Sequence, residues 1–151
     1  MGKINLIEGI LISELKIINH EKGNIFHVIR NFDNGFVDFG EAYISFINLN
    51  EIKAWKKHLN MTCNFIVPNG KILIVLCDFR KKSDTFGKIN EFIISPENYF
   101  RLTVPPGICY GFKGLSKNNM LINIADIVHD PKEQINYTSK EVNINYNWIK
   151  K

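Results

Sequence analysis

Apolar residues come in short runs along this chain, and the clearest lie near its middle, at residues 66–67 and 72–76 on either side of Pro68-Asn69-Gly70. Both runs are rich in β-branched residues and the three between them tolerate tight backbone geometry, so the pattern predicts a hairpin. The strands are apolar at consecutive as well as alternating positions. That predicts cover on both faces, as in a sandwich or a closed barrel. Polar residues at the strand start then face into a barrel mouth, where a small ligand fits. Upstream, residues 4–18 alternate well enough for one or two strands broken at Gly9. A turn at 20–24, strands at 25–29 and 40–47, and turns at 32–35 and 48–51 follow. Downstream, residues 92–94, 99–104 and 120–124 read as strands, separated by polar turns at 95–98 and 114–119. Short strands at this spacing predict an all-β barrel or sandwich. Residues 130–133 suit one helical turn, and the tail to Lys151 reads as polar and irregular.

Composition narrows this picture. A chain of 151 residues fits one domain, spanning residues 1–151 and able to bury roughly two-thirds of its unfolded surface. Its 45% hydrophobic content, 10 glycines and 5 prolines exclude disordered and collagen-like classes. No apolar run reaches the roughly 18 residues that cross a bilayer, and no signal-peptide core opens the chain, which predicts a cytoplasmic protein without membrane contact. Cys63, Cys77 and Cys109 are odd in number and lack metal-binding spacing, which predicts free thiols rather than disulfides or structural zinc. The formal charge of +4 is scattered. With no nucleic-acid-binding signature beside it, it suits a pocket for a pyrophosphate better than a nucleic-acid surface.

Four segments stand out in order: Trp55-Lys56-Lys57-His58 with Thr62-Cys63-Asn64; Asp78-Phe79-Arg80 leading to Ser83, Thr85 and Gly87; Val104-Pro105-Pro106-Gly107-Ile108-Cys109-Tyr110-Gly111-Phe112; and Ala125-Asp126-Ile127-Val128-His129-Asp130-Pro131. Together they resemble the active-site strand and loops of the dTDP-4-dehydrorhamnose 3,5-epimerase family, in its short cupin branch. The family patterns are Trp-His-x-His with Thr-x-Asn, D-x-R-x-x-S-P-T-x-G, PPG-x-x-H-G-F, and a closing A-D-x-x-H. The resemblance implies an all-β cupin, a double-stranded β-helix jelly-roll barrel. It also implies a cofactor-free isomerase of surface polysaccharide biosynthesis, acting on a 4-keto-6-deoxyhexose carried by a nucleoside diphosphate. A homodimer is implied too, and residues 10–18 would leave a barrel edge open to a second copy.

Epimerisation in this family removes a proton beside the 4-keto group and returns one on the opposite face. A histidine backed by a carboxylate serves as base and a tyrosine as acid. By the resemblance, Lys56 stands where the family has its histidine, the tyrosine position falls near Ile122, and an enolate-facing lysine near Cys63. The stretch carrying the carboxylate aligns beyond the chain's end. Two catalytic assignments remain open: His58 as base with Tyr110 as proton donor, or Lys56 as base with its pKa lowered by desolvation and by Lys57. Substrate contacts fall on Lys22 in the first turn, at a phosphate-binding arginine's position, and on Trp55, Asn64, Arg80 and Phe112. His27 stands at a glutamate position. Arg80 equally suits an ion pair with Asp78, and Trp55 and Phe112 equally suit core packing. Arg101 and Lys71 are further cations for a diphosphate. The metal positions of other cupins keep one good ligand, His58, so no metal is expected, and His20, His27 and His129 read as structural. Three functions follow: an epimerase; a degenerate member that binds a sugar nucleotide or scaffolds a partner; and a ketoisomerase or dehydratase using His58 and Tyr110.

Overall fold

The apolar runs become strands facing one another across a shared interior, in a computed structural model that describes residues 5–150. Ile4 and Lys151, the outer limits of the first predicted strand and of the tail, lie outside the described residues. The strands in chain order are β1 (Leu11–Glu14), β2 (Ile17–Ile18), β3 (Ile25–Phe26), β4 (Glu41–Asn48), β5 (Ile52–His58) and β6 (Cys63–Asn69). They continue as β7 (Ile72–Asp78), β8 (Ile89–Ile94), β9 (Phe100–Val104), β10 (Ile108–Gly114), β11 (Asn118–Ala125) and β12 (Gln134–Asn136), before a 3₁₀ turn at Trp148–Lys150. One sheet runs β1-β9-β6-β11-β4 and the other β12-β5-β10-β7-β8, while β2 and β3 pair separately. All these pairings are antiparallel. Two antiparallel sheets enclosing one core are the cupin jelly roll.

The predicted hairpin does not form. β6 pairs with β9 and β11, and β7 with β8 and β10, so Pro68-Asn69-Gly70 carries the chain from one sheet to the other. Gly70 has φ +81°, and a Cβ there would lie 2.2 Å from the Asn118 carbonyl oxygen. Turn chemistry fixes that the chain reverses. Which strand lies beside which depends on long-range cover, and both runs are covered on both faces.

That double cover is visible along β7. Ile72, Ile74 and Leu76 enter the cluster between the sheets, beside Phe65, Leu102, Tyr110 and Leu121. Leu73, Val75 and Cys77 point the other way, into a second cluster with Trp55, Cys109, Val142 and Trp148. Apart from β12 and the closing 3₁₀ turn the tail is irregular, as expected, but it is not simply polar. Val142, Ile144, Tyr146 and Trp148 recur at every second position and lay one apolar edge over the second sheet, as extended chain does. Burial of each large side chain of this kind contributes about 1.5–3 kcal/mol. Residues 130–133 close a hydrogen-bonded turn, Glu133 N–H to Asp130 O at 3.0 Å, rather than a helix. β5, β10 and β12 were not anticipated as separate strands, and the first two carry the site.

Candidate active site

β5 and β10 lie side by side with Lys56 opposite Tyr110, and the register shifts between Tyr110 and Gly111 so that Trp55 has no partner across the pair. The Ala54–Trp55 peptide is cis. Successive strand residues alternate between faces, so Lys56 and His58 turn to the interior while Trp55 and Lys57 turn outward. β10 begins after Pro105-Pro106-Gly107, a bend whose glycine has φ +85° and no room for a Cβ, which would meet Arg80 Cγ at 2.5 Å. The Gly107 N–H donates to the His58 carbonyl at 2.8 Å, tying this bend to the end of β5.

At that end three side chains form a line. Glu133 accepts a hydrogen bond from His58 Nδ1, and its other oxygen accepts the Asn60 and Met61 N–H groups at 3.2 and 3.3 Å. A carboxylate only accepts, so Nδ1 carries the hydrogen. Nε2 of the neutral ring then accepts from the Tyr110 hydroxyl at 2.9 Å. All three are buried: His58 is 3%, Tyr110 4% and Glu133 5% exposed. Burial lowers the pKa of His58 from its ordinary value, partly offset by the bond to Glu133 and its charge. Burial also raises Tyr110 well above its ordinary value. The ring is thus held neutral with one lone pair aimed at a phenol.

Tyr110 forms part of the wall of a cavity of about 430 Å³, and His58 lies behind it. Lys53, Lys56 and Phe112 line the same side, and Tyr43 and Ser45 of β4 belong to the facing sheet. Lys53 Nζ donates to Ser45 Oγ at 3.1 Å and to the Phe46 carbonyl at 2.6 Å, bridging the two sheets at the rim. The volume suits a sugar ring, and two lysines give the opening a positive bias.

The structure brings together His58, Tyr110, Lys56 and Phe112 from the candidates read in the sequence. A fifth, Trp55, stands at the cavity's edge, and the others are placed elsewhere. Trp55 borders the cavity, but its indole packs outward against Trp148 and Tyr146, with ring centroids 5.3 and 6.3 Å away. It is a core residue of the second cluster. Asn64 sits on the outer face of the first sheet, where it accepts Arg101 Nε at 3.2 Å and Thr103 Oγ1 at 2.6 Å and donates to the Gly35 carbonyl. Arg101 is itself 1% exposed and bonded to the Val28 and Asn34 carbonyls, a structural anchor for residues 28–34. Arg80 pairs with Asp78 at 2.8 Å and donates to the Glu8 carbonyl at 2.6 Å. Burial would raise the Asp78 pKa, but hydrogen bonds from Arg80, Thr85 and Ser83 outweigh it and hold the carboxyl below its usual range. This is the ion-pair alternative, a loop clamp. Lys22 is exposed in the turn between β2 and β3 and lines no part of the cavity. Lys71 stands at the crossing between the sheets, at the far ends of β6 and β7.

Three interior residues, Glu133, Asn123 and Tyr43, escaped the sequence reading. Glu133 is the carboxylate partner, supplied within the chain rather than beyond its end. It directly precedes β12, which pairs with β5 so that Gln134 faces His58; the one local signal was an acidic residue closing the Asp130 turn. Near Ile122 the side chain points outward and Asn123 faces the interior instead, next to Tyr43. Cys63, at the lysine position, is buried with its thiol pushed up to about 12 by burial, so it is neither a cation nor a thiolate. Among the described residues no cluster of three or more histidine, cysteine and acidic side chains forms a metal site.

The sequence profile of a family described as dTDP-4-dehydrorhamnose 3,5-epimerase matches residues 6–151. The chain is similar to a crystal structure of a dTDP sugar isomerase from Desulfovibrio desulfuricans G20, with 36% identity, a TM-score of 0.91, and coverage of 95% of this chain and 92% of that one. It is 26% identical over 127 residues to a probable low-salt glycan biosynthesis epimerase, Agl13, of Haloferax volcanii, covering 82% of this chain and 81% of that protein. It is 23% identical over 147 residues to the spore coat polysaccharide biosynthesis protein SpsL of Bacillus subtilis, covering 94% and 97%.

Proposed function

The chain belongs to the dTDP-4-dehydrorhamnose 3,5-epimerase family, and from that premise we propose that it epimerises a 4-keto-6-deoxyhexose carried by a nucleoside diphosphate, for surface polysaccharide synthesis. The observation that carries this reading is the Glu133–His58–Tyr110 line ending at the cavity wall. A carbon next to a ketone is acidic because its carbanion delocalises onto the carbonyl oxygen. Tyr110 takes that proton as its own passes to His58 Nε2, and Glu133 stabilises the imidazolium that results. This replaces the two-residue scheme of separate base and acid, since His58 and Tyr110 are bonded to each other and act from one wall. Lys56, directly beside Tyr110, serves as a cation for the enolate oxygen or the diphosphate, with His58 rather than Lys56 as the proton acceptor.

The test is proton NMR of the protein with dTDP-4-keto-6-deoxyglucose in deuterium oxide. Loss of signal at sugar carbons 3 and 5 is expected for the double epimerase, and loss at one carbon assigns a mono-epimerase or ketoisomerase. Binding without exchange overturns the catalytic reading in favour of a sugar-nucleotide-binding or scaffolding protein.

The working unit in this proposal is a homodimer in the cytoplasm. Supporting the dimer, Ile44 and Phe46 on the outer face of β4 are 54% and 61% exposed, and β1 pairs on one side only, both features that a second copy would cover. Lys22 is then free to reach the partner's ligand. The three cysteines are buried and unpaired, which suits a reducing compartment. Among the described residues no helix is long and apolar enough to cross a membrane. Light scattering at micromolar concentration is expected to give a dimer, and a Phe46→Asp variant a monomer; a monomeric parent protein refutes the assembly.

A further inference from the structure

Epimerisation needs two proton-transfer groups on opposite faces of the sugar, and the Tyr110 line supplies one wall only. The facing wall is built from the first sheet, and the cavity's residues there include Tyr43, Ser45 and Leu121. Leucine has no proton to give, and the Ser45 hydroxyl, which accepts Lys53 Nζ, is an aliphatic alcohol and a far weaker acid than a phenol. Of the remaining tyrosines at the cavity, Tyr137 turns its ring to Phe79 and Lys57 on the outside of the second sheet. That leaves Tyr43.

The neighbours of Tyr43 fit it for the task. Asn123 Oδ1 accepts the Asn64 backbone N–H at 3.1 Å, and a backbone N–H only donates, so the orientation of the carboxamide is fixed. Its Nδ2 therefore donates to the Tyr43 phenol oxygen at 3.0 Å. The phenol oxygen is held from behind by a donor, which leaves its own hydrogen free to point into the cavity. The same donor is in place to stabilise the phenolate left after that hydrogen departs. Asn123 is 0% exposed and cannot swing away, whereas Tyr43 is 37% exposed at the cavity's rim and in contact with water. Burial raises the Tyr43 pKa and the Asn123 bond works against that rise, consistent with a phenol that stays protonated until the substrate presents a basic carbon.

We propose that Tyr43, held by Asn123, is the catalytic acid that returns the proton on the face opposite Tyr110; this rests on the epimerase reading above. In the first half-reaction the C–H bond beside the ketone breaks, its proton goes to Tyr110, the Tyr110 proton goes to His58, and the electron pair moves onto the carbonyl oxygen as the enolate. In the second, the enolate carbon forms a new C–H bond with the Tyr43 proton on the other face, and the carbonyl re-forms. Tyr43 phenolate then regains a proton from water at the rim, and His58 returns one to water. The sum is inversion of one carbon with no net change in protons or electrons.

The variant Tyr43→Phe removes the hydroxyl alone from a rim position. In deuterium oxide with dTDP-4-keto-6-deoxyglucose it is expected to keep solvent exchange, because Tyr110 returns deuterium to the face it came from. Formation of the inverted sugar is expected to fall about tenfold or more, as when a positioned acid is lost, with dTDP affinity unchanged by calorimetry. Inverted product reduced less than about tenfold overturns the assignment, as does a parallel loss of exchange and product, which would put Tyr43 in enolate formation instead. Absence of exchange in the unmutated protein is a separate result: it overturns the epimerase reading and the assignment with it.

Discussion

Glu133→Gln probes the proton line at the member furthest from the substrate. Glutamine keeps nearly the same shape and one acceptor oxygen, so the packing under β12 is retained and the negative charge is lost. The cost falls on the step in which His58 becomes a cation. Two unit charges about 4 Å apart attract by about 4 kcal/mol at an effective dielectric of about 20, and a hydrogen bond to a charged partner retains about 1.5–3 kcal/mol net. Taking about 3 kcal/mol as the loss gives a slowing of about 100-fold, at roughly 1.4 kcal/mol per factor of ten. The assay is the rate of deuterium incorporation into dTDP-4-keto-6-deoxyglucose followed by NMR, with dTDP affinity by calorimetry as the control. A second readout separates positioning from structure. Glu133 works against the burial that lowers the His58 pKa, so without its charge the ring protonates at still lower pH and the acid limb of the rate profile moves down. Exchange within about threefold of the parent rate, with an unmoved acid limb, refutes the role assigned to Glu133.

His58→Ala and Tyr110→Phe are each expected to slow exchange by about 100-fold or more; parental rates in both variants show that this pair does not do the chemistry. The stability of the fold carries a related signature. Since burial lowers the folded-state pKa of His58 below its ordinary 6.5, the unfolded ring takes a proton first. The contribution of this residue is thus complete above pH 6.5 and is lost as pH falls from there toward the folded value. Urea unfolding should show the stability difference between the parent and His58→Gln shrinking across that window, by at most about 1.4 kcal/mol per pH unit; a difference independent of pH contradicts it. Trp148→Ala empties the space over Gly111 and Trp55 and is expected to cost about 3 kcal/mol by the same measurement, whereas a cost near zero would mean that the tail does not cover the second sheet in solution.

The chain's local pattern determined its class. Short β-branched runs, alternation and turn residues at close spacing leave an all-β architecture as the consistent reading, and Lys56, His58, Tyr110 and Phe112 are legible as a set because they stand at motif positions on strands facing one interior. Local pattern did not decide partners. The runs around Pro68-Asn69-Gly70 carry every mark of a hairpin, yet they separate into two sheets, because each is apolar on both faces and its neighbours are chosen by the surfaces that distant strands bring to it. Glu133 lies 75 residues from His58, and only the pairing of β12 with β5 makes them contact. Asn64 stands in the motif as fully as His58 does and is carried away from the cavity by the side of the strand it occupies, while Trp55 keeps an edge on the cavity and packs its indole outward. A strand's period is two, so displacement by one residue exchanges interior for exterior. That single step separates outward Ile122 from inward Asn123, and it is the register of the sheet, set by the whole barrel, that fixes it.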